Sequence, residues 1–190
     1  MSVLSFKKKK PVVNSYHIQS SKIFITGGSK ANDWTLNIDT FACEGYFKAN
    51  IDELEEIKGL HFRMPVSELR SSNVEAEKTI KSLLKNKNCE EISFTQKRRM
   101  ILPIMKMVHV IGDFKMGNGI HSAPMQIQYT IDSEKSMTLV AKQFIKLSEF
   151  GIMLPNTKPG DDEEEITINI SLKLVKTISK SNHLSSRSPE

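Results

Sequence analysis

The sequence has no long apolar run. Its apolar stretches are short and broken by Lys or Asp, far below the ~20 residues that a membrane-spanning helix needs. Aromatic residues make up only 7 %. They do not interleave with the basic clusters as a base-stacking platform requires, which argues against nucleic acid as a partner. Cysteine is scarce. Cys43 and Cys89 are the two present, with no Cys-x-x-Cys, and they leave both compartment and pairing open, because two cysteines can join in an oxidising space or sit free as small hydrophobes. A secretory leader is also missing from view: Met1 to Lys10 carries its charge after the short piece Val3-Leu4, without an apolar central region. The chain is therefore expected in the cytoplasm, or exported if a leader has been removed.

Catalytic signatures are equally thin. His17, His61, His109, His121 and His183 are scattered, and none stands at metal-ligand spacing from Cys, Asp or Glu. Gly27-Gly28-Ser29-Lys30 lacks the full phosphate-loop pattern and leads into a strand. There is no Gly-x-Ser-x-Gly elbow. The acidic run Asp161 to Glu165 lacks the spacing and glycine of a calcium loop. We expect no enzyme, no metal site and no cofactor.

What is present is alternation. In 190 residues, 38 % hydrophobic and 26 % charged, the dominant period is two. Trp34, Leu36 and Ile38 alternate with polar residues, as do Leu60, Phe62, Met64 and Val66. So do Met125, Ile127, Tyr129 and Ile131, then Met137, Leu139 and Ala141, then Ile166 through Leu174. Each reads as a strand with one face inward, and one-sided burial favours antiparallel pairing. Parity switches from even at Ile38 to odd at Phe41, which places a bulge or bend near Asp39–Thr40. Residues 102–116 read as one long curved strand, with Gly117-Asn118-Gly119 as the turn after it. One segment is helical, about residues 73–86. Ser72 and Glu75 form a capping box there, and Ala76, Ile80, Leu83 and Leu84 share one face. The expected fold is all-β, an eight-stranded antiparallel barrel over residues 14–178 with one short α-helix. Basic and polar tails span 1–13 and 179–190. A β-sandwich has the same periodicity.

Set in order, these pieces resemble the YceI-like family. The carriers of the resemblance are Gly27-Gly28-Ser29 with Asp33-Trp34-Thr35-Leu36, the strand Gly59 to Val66, and the helix Ala76 to Lys85. Further on come Ile92-Ser93-Phe94-Thr95, Gly112-Asp113-Phe114 with Pro124-Met125, and Leu147-Ser148-Glu149-Phe150-Gly151-Ile152. The match covers about residues 16–176. Asn32 stands where the family has His, and Gly28 where it has Thr. The resemblance implies a lipocalin-like barrel with an elongated apolar cavity. It also implies non-enzymatic binding or transport of a long-chain lipid (a polyisoprenoid, an isoprenoid quinone or a polyprenyl phosphate), usually in the periplasm or outside the cell, and it leaves a homodimer open.

On that reading the cavity wall comprises Trp34, Leu36, Phe62, Met64, Phe94, Val110, Phe114, Met125, Ile127 and Phe150, by their parity on apolar faces. Nine methionines suit either an irregular guest or an irregular core. Arg63, Lys97, Arg98, Arg99 and His109 are candidates for a polar rim, Arg being the better phosphate ligand. The alternative is an interaction module with a solid barrel and no ligand.

Overall fold

In the computed structural model, described over residues 14–29, 32–133, 135–154 and 165–177, the alternating segments become antiparallel strands. They are β1 (Asn14–Ser29), β2 (Asn32–Ile38), β3 (Ala42–Ala49), β4 (Leu54–Pro65), β5 (Leu69–Arg70), β6 (Glu91–Leu102), β7 (Met107–Met116), β8 (Gly119–Ser133), β9 (Ser136–Lys146) and β10 (Glu165–Lys176). They hydrogen-bond in one sheet, and β10 returns to pair with β1 from Tyr16↔Lys176 to Thr26↔Thr167. β2 and β3 share the other edge of β1 and act as one broken stave, while β4 and β5 form the next. With β1 and β6 to β10 this gives eight staves in a closed barrel, and no β-sandwich. The stave formed by β2 and β3 breaks at Asp39–Thr40, where the parity switch predicts it.

The inward set follows the alternation. Ile166, Ile168, Ile170, Leu172 and Leu174 of β10 and Val108, Val110, Phe114 and Met116 of β7 are all buried. Burying each such side chain stabilises the fold by about 1.5–3 kcal/mol. At mid-height Phe62, Phe94 and Phe114 pack ring on ring, with centroids 4.8 to 5.9 Å apart. Gly112 makes room for this cluster: a Cβ there would lie 2.3 Å from the Phe94 ring and 2.6 Å from the Thr95 carbonyl.

The helix α1 (Val74–Asn86) lies at one end of the barrel, with Ile80 and Leu84 buried. Its cap is Asn73 and not Ser72: the Asn73 Oδ1 accepts from the Ala76 N–H at 3.1 Å. Asn caps as well as Ser, so the start moves one residue. Glu77 reaches back to the Ser71 N–H at 2.9 Å, the service expected of Glu75.

The expected single strand over 102–116 is corrected. The chain turns at Pro103–Met105 in one 3₁₀ turn, with Lys106 left-handed at φ 51°, so β6 and β7 form a hairpin. Pro103 fixes its own φ and removes an N–H, while apolar Ile104 and Met105 hide the turn from a composition-based reading.

The two barrel ends are unlike. The paired ends of β1 and β2, the β7–β8 turn, α1 and residues 147–154 gather at the helix end. The β3–β4, β6–β7 and β8–β9 turns gather at the opposite, hairpin end. The wall is also incomplete. β4 and β6 pair only from His61↔Thr95 to Pro65↔Glu91. Toward the hairpin end they part, and the Gln96 side chain spans the seam, accepting from the Leu60 N–H at 2.9 Å and donating to the Ile57 carbonyl at 3.2 Å.

Gly112→Ala is expected to destabilise the barrel by ~1–3 kcal/mol through overpacking. In a Phe94→Leu background the cost falls only in part, because the Thr95 carbonyl still crowds the new methyl group. Urea unfolding of the two single variants and the double variant measures this coupling.

Candidate functional site

The site a barrel offers is its interior. Among the described residues, Gln143 is the sole buried polar or charged side chain apart from tyrosine, and its Nε2 donates to the Phe144 carbonyl at 2.9 Å. Two apolar voids lie among these residues. One, of about 20 Å³, lies under the helix and is enclosed by Ile80, Leu83 and Leu84 of α1 with Ile25, Leu36 and Met116 of the wall. The other, of about 10 Å³, lies toward the hairpin end between Cys43, Phe62, Met125, Leu139 and Ile170. Neither has a polar atom on its surface.

The resemblance leads one to expect an elongated cavity, and the geometry differs. Each void has room for about one water molecule, whereas a lipid pocket needs ~300–1,000 Å³. Eight staves make a barrel whose inward side chains just fill it, and here the three Phe rings occupy the middle.

Of the expected wall residues, Trp34 and Leu36 border the first void, and Phe62, Met125 and Ile127 the second. Phe94, Phe114, Met64 and Val110 are buried but border neither. Phe150 packs at the helix end on His121, with centroids 4.8 Å apart, and it too borders neither void. Trp34 is half-buried, its ring laid against Gly27. Reading parity alone misses Ile80, Leu83 and Leu84 as void walls, since their signal is helical and points to packing against the sheet.

The expected polar rim does not form. Arg63 is exposed and paired in register with Ser93. Lys97 reaches Asp113 at 3.2 Å, and Arg99 reaches Glu56 at 3.2 Å across the seam. Arg98 is exposed, and His109 is half-buried opposite Gln126. The Glu56 carboxyl is held below its ordinary range, first by its hydrogen bond to Lys58 and then by the charges of Lys58 and Arg99.

One interior residue escapes sequence reasoning. Tyr129, on the inward face of β8 near the hairpin end, has a buried hydroxyl with no hydrogen bond of good geometry among the described residues. The Leu54 main chain and the Glu53 carboxylate lie beside it, and burial pushes its pKa up. Cys43 and Cys89 are both free, and the Cys89 thiol donates to the Glu91 carbonyl at 3.3 Å. No group of three or more His, Cys, Asp or Glu among the described residues is placed to hold a metal. No helix among them is long and apolar enough to cross a membrane.

No family profile and no curated protein matches the sequence. Solved structures do match. The chain is similar to BcnA of Burkholderia cenocepacia, with TM-score 0.67 and 11 % identity over 80 % of this chain and 95 % of that one. It is similar to the Campylobacter jejuni YceI protein, with TM-score 0.61 and 14 % identity over 93 % and 94 %. The fold is the YceI barrel. A third structural neighbour is a polyisoprenoid-binding domain from Saccharophagus degradans, implicated in plant cell wall breakdown, with TM-score 0.58 and 7 % identity over 88 % and 100 %.

Burial, with Glu44 adding, pushes the Cys43 thiol from 9.0 to about 11. The folded state therefore holds this proton more tightly than the unfolded chain. The resulting stability is complete below about pH 9 and is lost as the pH rises to about 11. Burial shifts Tyr16 and Tyr129 in the same direction. The urea midpoint is expected to fall across that window, with a shallower fall in Cys43→Ala. A thiol reagent at neutral pH is expected to label Cys43 slowly, since the thiolate is rare there.

Proposed function

We propose that the protein is a non-enzymatic binder of a long-chain amphiphilic lipid of the isoprenoid class, held inside the barrel. The supporting observation is an interior whose two voids are walled by hydrocarbon and sulfur alone, inside a fold whose neighbours include a polyisoprenoid-binding domain. An isoprenoid chain asks nothing of its walls but apolar surface, since area removed from water supplies the affinity. Loading requires the Phe62, Phe94 and Phe114 rings to turn and join the two voids. Met116 and Met125, one beside each void, are side chains that adapt to such a change. The Tyr129 hydroxyl, buried and unpaired among the described residues, is where an oxygen of the head group is received, which puts the head at the hairpin end. The periplasmic or extracellular location implied by the resemblance belongs to the same proposal, as does the single-domain limit of 14–178.

A second reading is favoured by the smallness of the voids: a solid barrel that works through its surface. Mass spectrometry of an organic extract of the purified protein, beside native mass spectra, separates the two. A stoichiometric long-chain lipid supports the carrier. A clean apoprotein that takes up neither isoprenoid quinone nor polyprenyl phosphate overturns it.

Tyr129→Phe gives a finer test. Removing an unsatisfied buried hydroxyl is expected to stabilise the ligand-free protein by ~1 kcal/mol. The same change is expected to weaken quinone uptake about tenfold, the loss of one hydrogen bond worth ~1.4 kcal/mol. Thermal unfolding and a fluorescence titration read the two effects.

A further inference from the structure

We propose that the hairpin end is a docking surface for an anionic lipid bilayer, with the β6–β7 tip as its inserting element. The proposal stands whether or not the barrel carries a guest. Its basis is the chemistry of the stretch from Lys97 to Lys106, which reads Lys-Arg-Arg-Met-Ile-Leu-Pro-Ile-Met-Lys, four cations and no carboxylate. Tight turns draw on Gly, Pro, Asn, Asp and Ser, and Pro103 is the one such residue in this turn. The turn places Ile104 at the apex, 100 % exposed, with Met105 at 61 % and Met100 at 56 %. Ile51 of the neighbouring β3–β4 turn adds a fourth exposed apolar side chain at 74 %. Nothing in the barrel requires apolar residues there, since none of the four reaches the core.

The tip is held in place. The Lys106 N–H donates to the Pro103 carbonyl at 3.0 Å, and the Tyr129 N–H to the Lys106 carbonyl at 2.9 Å. The Lys106 Nζ donates to the Asp52 main-chain oxygen and lies 5.9 Å from the Tyr129 ring centroid. That bond ties the β3–β4 and β6–β7 turns together, so Ile51 and Ile104 are presented at the same end. β6 has left β4 here, and residues 97–100 are exposed on both faces of the strand.

The cations fit the same partner. Arg98 has no carboxylate partner among the described residues and borders an open furrow of the outer wall with Lys97 and Ile111. Lys97 and Arg99 are engaged with Asp113 and Glu56, and Asp52 and Glu53 lie in the facing turn. Lys135 in the β8–β9 turn is exposed at the same end, and β1, which follows the Lys7 to Lys10 run, begins there. Convex apolar side chains at the tip, with Lys106 beside them and Arg98 set back along the hairpin at the Arg98↔Ile111 pair, match an interface in which acyl chains receive the first and anionic head groups the second.

Flotation of the full chain with phosphatidylcholine vesicles, with and without phosphatidylglycerol, tests this. The chain is expected to float with the anionic vesicles, less so as salt is raised. The double variant Ile104→Asp, Met105→Asp is expected to lower binding at least tenfold while leaving the thermal midpoint unchanged, since both side chains are in water. In the Ile104→Trp variant the indole emission is expected to shift to the blue on anionic vesicles. Failure to float, an indole emission in that variant that vesicles leave unchanged, or binding that survives the double variant but vanishes when Lys7 to Lys10 are replaced by Ser would each overturn the proposal.

Discussion

Closure of the β1–β10 ladder is the constraint on which the rest depends. Once Tyr16 to Thr26 pair with residues 167–176, the sheet has an inside, and every inward side chain of eight staves must share it. At this stave number the enclosed space is close to the volume of those side chains. Small local choices then decide whether the middle is solid or hollow. The Phe62–Phe94–Phe114 cluster, admitted by the missing Cβ of Gly112, makes it solid. The space that survives sits above and below the rings, where branched and sulfur-containing side chains pack less completely.

A filled interior and a lipid carrier are compatible only if the filling can move. Aromatic rings held by stacking worth ~0.5–1.5 kcal/mol per pair beyond area burial are exchangeable in a way that a buried ion network is not. No ion pair has to be broken when they turn, because the polar groups of the interior among the described residues are the Gln143 amide and tyrosine hydroxyls such as that of Tyr129, with no charged side chain. The weak points of the enclosure are also visible. The first void is roofed by three residues of α1. The β4–β6 seam is spanned by Gln96 and the Arg99–Glu56 pair where backbone hydrogen bonds would otherwise run.

Most of the barrel is legible in the sequence because period two and burial are the same fact in a one-sided sheet. Parity alone locates the inward faces of β2, β4, β8, β9 and β10, and its switch locates the break after Ile38. Legibility fails where a turn is built of apolar residues that carry no turn signal: Ile104 and Met105 make Pro103 look like an interruption and not an end. It fails again for the interior volume. Parity says which way Phe94 points but not that its ring lies where a Gly112 side chain would be. It fails for the basic residues as a set, since Arg63 and Arg98 share an exposed outer wall while the bulge between Gln96 and Arg98 changes the parity of every later residue in β6. Arg99 therefore faces the seam and not a rim.

The same bulge explains why the open seam is tolerable. Beyond Gln96 the strand β6 is an edge, with main-chain groups unpaired toward β4, and an exposed edge invites pairing with another chain. Natural sheets blunt such edges with Lys, Arg and bulges, and Lys97-Arg98-Arg99 at a bulge is that device. Charge suffices to protect the edge, but it does not account for the apolar apex beyond it. A hairpin tip defended only against aggregation would be polar throughout, and Ile104 is the most exposed large hydrophobic residue among those described. Protection of the edge and attraction of an apolar, anionic layer are separate demands, and the stretch from Lys97 to Lys106 satisfies both with one composition.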